Sequence, residues 1–133
     1  MKTKFDSSFD PPAPIGTVVI RYKSTGERSD EIRMLLDTGA DVSLLPSSSV
    51  KTSDLAAASS NTYRLVGFDG SSHLFQSIEL QIVFIRKRFT GKFCLIDDEI
   101  GILGRDVLNQ LSIIFDGPNL EWDILNSSVP EID

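Results

Sequence analysis

The sequence predicts an all-β domain, a closed or partly open β-barrel with one short helix near its C-terminal end. Short β-branched and apolar runs recur along the 133-residue chain, separated by turn-forming residues. The only convincing helical spacing is in RDVLNQL, residues 105–111, where Val107, Leu108 and Leu111 fall on one side. Many short strands and one helix are typical of such a barrel.

The first predicted strands follow in order. Residues 15–23, IGTVVIRYK, end at the turn STGERSD, and residues 31–36, EIRMLL, lead directly to Asp37. Residues 42–46, VSLLP, form a third run that Pro46 ends. Residues 47–59, SSSVKTSDLAAAS, form either a loop or one weak helical turn.

The later strands form hairpins. Two strand-like runs flank Gly67-Phe68-Asp69-Gly70, and the Asp-Gly pair signals a hairpin turn. Residues 78–84 and 89–96 form a second hairpin around Arg86-Lys87-Arg88, and residues 112–125 form two strands about DGPN. Residues 1–14 are expected to be a flexible N-terminal arm and residues 126–133 a loose tail.

Composition excludes several classes of function. The net charge is −6 and the pI about 4.7, which disfavours nucleic acids and anionic membranes as partners. The lone cysteine, Cys94, forms no internal disulfide, no apolar run reaches the length of a membrane span, and we expect a cytoplasmic protein. One histidine, His73, and one cysteine provide no metal-ligand cluster, so we expect neither a metal nor a cofactor.

Asp37 is the candidate for chemistry. It ends the apolar run MLL, and Thr38 and Gly39 follow it in a tight turn. Asp-Thr-Gly alone fits an ordinary Asx-type turn. The residues before and after it, and ILGRD at residues 102–106, favour a catalytic function instead.

These segments together resemble the retroviral-type (retropepsin-like) aspartic proteases over residues 15–125. LLDTGAD at 35–41 resembles the catalytic loop, VGFDG at 66–70 occupies the place of the flap, and ILGRDVL at 102–108 resembles the segment before the family's helix. DGPNLEWDI at 116–124 looks closer to cellular and bacterial members than to viral ones.

One carboxylate is insufficient for the implied chemistry. Hydrolysis of a peptide by water needs one group that takes a proton and another that gives one. Two carboxylates in contact provide both, because their repulsion keeps one protonated. Asp69-Gly70 and Asp116-Gly117 lack the intervening threonine, so the chain carries half a site. A second copy around a two-fold axis would complete it, which predicts a homodimer.

The resemblance implies a role for each residue of the loop. Asp37 would activate the water and protonate the leaving amine, Thr38 would hydrogen-bond across the axis, and Gly39 would let the substrate backbone approach. Ala40 lacks the hydroxyl that some relatives aim at the aspartate, so we expect a less acid pH optimum. Asp41 and Arg105 would form a partly buried ion pair beside the site, unless they are two ordinary surface charges.

The implied peptide site is larger than this loop. Its flap would close over an extended peptide, adding main-chain hydrogen bonds. Gly104 would support the structure beside Arg105. The candidate substrate-binding residues are Ala40, Asp41, Val42, Gly67, Phe68, Asp69, Gly70 and Ile102.

The resemblance implies a homodimeric aspartic endopeptidase that cleaves extended, mostly apolar peptide segments. An alternative is a dimeric module of the same fold that binds peptides or proteins with little catalysis. An unrelated β-barrel with a chance tripeptide would leave ILGRD unexplained.

Overall fold

The computed structural model describes residues 2–54, 62–66 and 69–125, and it confirms the predicted all-β fold. Within these residues the strands are β1 Thr3–Lys4, β2 Ile15–Arg21, β3 Ile32–Leu36, β4 Leu44–Pro46, β5 Thr62–Val66, β6 Ser72–Phe84, β7 Lys87–Ile96, β8 Gly101–Leu103, β9 Ile113–Asp116 and β10 Glu121–Ile124. A 3-10 turn spans Ser47–Ser49, and the predicted helix is α1, Arg105–Leu108. No helix in the described ranges is long and apolar enough to span a membrane.

The larger sheet closes on itself. Its strands follow the order β2-β3-β8-β4-β7-β6-β5, and an additional pairing joins β2 to β6. Strand β2 makes this closure because residues 15–18 pair with β3 while residues 19–21 pair with β6, both antiparallel. A closed ring hides the backbone edges of its strands and encloses one core. The predicted barrel is therefore present, with β5 outside the ring.

Strand β6 is longer than the sequence predicts. The two runs before and after Ser77 form one strand of 13 residues, which pairs with β5 over residues 72–76 and with β7 over residues 77–84. One strand thus belongs to both predicted hairpins. The second turn consists of Ile85 and Arg86, because Phe84 and Lys87 already form a ladder pair. Both turn residues have positive φ, 51° and 59°, as a two-residue turn with the twist of a hairpin requires.

The N-terminal segment is part of the fold, in contrast to the flexible arm that we expected. Strand β1 pairs with β10, which pairs in turn with β9 in a second, smaller sheet. Asp6 and Ala13 exchange backbone hydrogen bonds of 2.7 and 3.2 Å, and the Asp6 carboxylate forms an ion pair with Arg33. These partners are distant in the sequence, so the local pattern of residues 1–14 could not predict the pairing. The expected tail, residues 126–133, lies outside the described residues.

Trp122 joins the small sheet to the barrel. Its side chain is buried, its ring stacks on Phe84 with 6.0 Å between centroids, and its indole N–H donates to the carbonyl of Ile15 at 3.1 Å. Inside the ring, apolar side chains of the strands and of α1 form the core. Burial of these side chains is the main contribution to the stability of the fold.

Gly104, between β8 and α1, lies against the backbone of the loop after Asp37. A Cβ atom at this position would lie 2.7 Å from the carbonyl carbon of Val42 and 2.8 Å from the carbonyl oxygen of Ala40. These are backbone atoms, which cannot move aside as the end of a side chain can. Only glycine permits this approach, so the second glycine of GILG has a packing function.

We expect Gly104→Ala to lower the free energy of unfolding by about 1–3 kcal/mol, because the added methyl group forces two backbone segments apart. Urea denaturation at one fixed protein concentration measures the loss. Gly117→Ala is the matched control, since a Cβ there meets nothing within 4 Å. Equal stability of the two variants would contradict this account of Gly104.

Candidate active site

Asp37 lies directly after β3, beside the end of β8. The two strands are parallel neighbours in which Leu36 pairs with Leu103, and the Asp37 N–H donates to the Leu103 carbonyl at 3.0 Å. The apolar side chains of Met34 and Leu36 are buried. Because side chains alternate along a strand, Leu35 and Asp37 continue on the opposite face. The run MLL therefore anchors β3 in the core and leaves Asp37 half-buried at its end.

The predicted tight turn after Asp37 is present. The Asp37 carboxylate accepts a hydrogen bond of 2.8 Å from the Gly39 N–H, and the Asp37 carbonyl accepts one of 3.2 Å from the Ala40 N–H. A Cβ at Gly39 would lie 3.1 Å from the same carboxylate oxygen. The turn thus fixes the carboxylate through backbone atoms, and glycine keeps the space beside it open.

Arg105 connects the loop to α1. Its guanidinium donates to the Thr38 carbonyl at 2.6 Å and forms an ion pair with the Asp41 carboxylate, while its backbone N–H donates to the Ala40 carbonyl at 2.9 Å. The structure thus brings together the two residues that we expected to form an ion pair. The pair is exposed in the single chain, with 41% of the Arg105 side chain and 72% of the Asp41 side chain accessible. The ion pair itself is then worth about 0–1 kcal/mol.

Ser43 and Asp106 form a second connection, which the sequence analysis missed. The buried Ser43 hydroxyl donates to the Asp106 carboxylate at 2.7 Å and accepts from the Gly104 N–H at 3.0 Å, and the Ser43 N–H donates to Asp106 at 3.0 Å. These bonds join the segment after Asp37 to the start of α1. A serine inside the apolar run VSLLP was the available signal, because a buried hydroxyl needs partners.

An open cleft lies along β3 and β8, and Leu35 is the lining residue that is nearest to Asp37 in the chain. Its volume is about 520 Å³, and its lining residues are Phe9, Leu35, Asp98, Glu99, Ile100, Gly101 and Ile102. Only Ile102 was predicted from the sequence. Leu35 belongs to the same strand face as Asp37, and Ile102 is its register partner in β8. Phe9 was missed because it lies in the segment expected to be flexible. Val42, another candidate substrate-binding residue, is half-buried and is not among the residues that line this cleft.

The β5–β6 hairpin carries the residues expected to form the flap. Gly67 and Phe68 lie outside the described residues. In the rest of the turn, the Asp69 carboxylate accepts from the N–H and the hydroxyl of Ser71 at 2.9 and 2.6 Å, and these bonds lower the pKa of Asp69. Gly70 has φ of 85°, a left-handed conformation that favours glycine. The Asp-Gly turn predicted from the sequence is therefore present at the tip of this hairpin.

Comparison with models of known protein families agrees with this geometry. No curated protein matches the sequence. Residues 11–115, well over half of the chain, match the family described as retroviral aspartyl protease. The match includes the Asp37 loop, the closed barrel and α1. On this match and on the fold, the chain belongs to the retroviral aspartyl protease family.

Proposed function

We propose that the protein is a homodimeric aspartic endopeptidase whose site contains Asp37 from each of two copies. The observation that carries the proposal is the Asp37 turn, in which the carboxylate of the half-buried Asp37 accepts from the Gly39 N–H, with an open cleft along the same strand, β3. Family membership supports aspartic protease chemistry in general. The dimer, the individual roles and the substrate are the parts that we propose.

The chemistry follows from two like carboxylates in contact. One Asp37 is ionised and takes a proton from the attacking water, while the other is protonated and gives its proton to the leaving amine. Thr38 hydrogen-bonds across the axis and aligns the two loops. Gly39 leaves room for the substrate backbone.

The small sheet supports the proposed dimer. In the order β1-β10-β9, strand β9 is an edge strand among the described residues, and edge strands with apolar side chains pair readily with another chain. Two groups of large apolar side chains are exposed: Val66 and Leu74 on the flap hairpin, and Ile114, Phe115, Leu120 and Leu125 on or next to the β9–β10 hairpin. We assign the second group to the dimer interface. A two-fold axis there makes the interface self-complementary.

The first group supports an extended peptide as the substrate. Val66 and Leu74 are exposed on the hairpin that would cover the cleft, where they provide apolar contact for the substrate. As the resemblance implies, Gly67, Phe68, Asp69 and Gly70 would close over the peptide and exclude water. Ala40, Asp41, Val42 and Ile102 bind it from the opposite side. This arrangement suits extended and mostly apolar segments.

Asp37→Asn is expected to abolish hydrolysis, because an amide can neither take the proton of the water nor share a proton with its partner. Digestion of a proteome-derived peptide library by both proteins, read by mass spectrometry, measures the effect. We expect cuts between apolar residues with the wild type and a loss of at least about 10³-fold with the variant. If neither protein cleaves any peptide, the protease proposal is refuted and the dimeric peptide-binding module is favoured.

Ile114→Lys is expected to shift the protein from dimer to monomer, because a charged lysine on the edge strand disfavours its pairing with the second copy. The fold is expected to persist, since Ile114 is the register partner of Asp123 and the new cation would face a carboxylate. Sedimentation velocity measures the mass. Leu74→Lys is the control, because Leu74 is an exposed apolar residue on the flap hairpin, 63% accessible against 46% for Ile114. A dimer that survives Ile114→Lys would contradict the assignment of the interface.

A further inference from the structure

We propose that the cleft beside Asp37 selects a substrate side chain with an aliphatic stem and a cationic end, which means lysine or arginine. This inference rests on the proposed protease function and specifies the substrate class of the same site. The cleft combines an apolar part with an acidic part. Lysine and arginine match both, because their stems bury against apolar surface while their charged ends stay hydrated.

The apolar part suits the stem of such a side chain. Phe9, Leu35, Ile100 and Ile102 line the cleft, and all four are half-buried, so each presents apolar surface to it. Its volume of about 520 Å³ lies within the range of small-ligand sites. The stem of a lysine or an arginine therefore has both the room and the contacts to be buried.

The acidic part lies in the loop before β8. Asp98 and Glu99 line the cleft and are exposed, and neither forms an ion pair with a described residue. No lining residue of the cleft is basic. Arg33 lines a neighbouring cleft that Glu99 also borders, but its guanidinium is ion-paired with Asp6. Negative charge at this end of the cleft is thus uncompensated, and a substrate cation would reduce it.

The position of the cleft sets where the basic residue lies in the substrate. Leu35, two residues before Asp37 on one strand face, lies about 7 Å along the strand from Asp37. The acidic end lies farther away, because Asp98 and Glu99 precede β8, which runs parallel to β3. A side chain that reaches the acidic end therefore belongs to a residue a few positions from the scissile bond, and the residues at the cut itself can be the apolar ones proposed above. The two-fold axis creates an identical cleft on the other side. Basic residues are therefore expected on both sides of the cut.

A pair of peptides tests the preference. They differ at one position near the cut, lysine in one and glutamine in the other, since glutamine is of comparable length but uncharged. We expect kcat/KM to be about three- to tenfold higher for the lysine peptide with the wild type, a range set by two partly exposed carboxylates. The ratio is expected to approach one with the double variant Asp98→Asn, Glu99→Gln, and to fall as salt is added to the wild type.

The double variant Asp54→Asn, Glu79→Gln is the matched control. It removes the same two charges from a different cleft, which Arg21 and Tyr22 also line. We expect it to keep the wild-type ratio, so a change with the first variant alone excludes an effect of net charge. A ratio of one in the wild type, or a ratio that Asp98→Asn, Glu99→Gln leaves unchanged, would overturn the proposal.

Binding separates this proposal from the protease proposal. In the Asp37→Asn background, fluorescence anisotropy with the same two labelled peptides gives a ratio of Kd values without hydrolysis. We expect the same preference for lysine and the same loss with Asp98→Asn, Glu99→Gln. Preferential binding by a wild type that cleaves nothing would overturn the protease alone. Hydrolysis without any preference would overturn the cleft assignment alone.

Discussion

The close approach of Gly104 to the backbone of residues 40–42 is the constraint on which the site depends. The approach places α1 against the loop after Asp37, so that Arg105 can bond to both Thr38 and Asp41. The buried Ser43 hydroxyl fixes the same junction from inside the barrel. Because the Gly104 approach, the bond to the Thr38 carbonyl and the bond of the Gly104 N–H all include backbone atoms, the loop keeps its shape without a large contribution from the exposed ion pair. The Asp37 carboxylate is therefore positioned by the fold itself.

The proposed dimer follows from the carboxylates of this loop. Of its two carboxylates, Asp41 is ion-paired with Arg105, which leaves Asp37 alone, while hydrolysis by water needs two groups in different protonation states. The chain also exposes apolar side chains on an edge hairpin, which a second copy can cover. A dimer with a single two-fold axis would both pair the two Asp37 carboxylates and bury the two apolar hairpins. The same axis would duplicate the acidic cleft and so connect the proposed dimer to the expected substrate preference.

The sequence predicted the features that depend on local pattern. Apolar runs and turn residues predicted β2, β3, β4, the hairpins and α1. The residues around Asp37 predicted the turn that holds its carboxylate. The features that it missed depend on contacts between distant segments. Strand β1 exists because β10 pairs with it, and Phe9 reaches the cleft because Asp6 and Ala13 fold the N-terminal segment back. The bonds of Ser43 with Asp106 likewise become visible only when β4 and α1 are adjacent.

The most direct test of the half-site is to mix wild-type chains with Asp37→Asn chains. After subunits exchange at equal amounts, random pairing leaves one quarter of the dimers with two intact aspartates. We then predict that activity per wild-type chain falls to about half its unmixed value, because a mixed dimer lacks one carboxylate. Activity that stays proportional to the wild-type chains, with exchange confirmed by native mass spectrometry, would show that one chain is sufficient and would contradict the account.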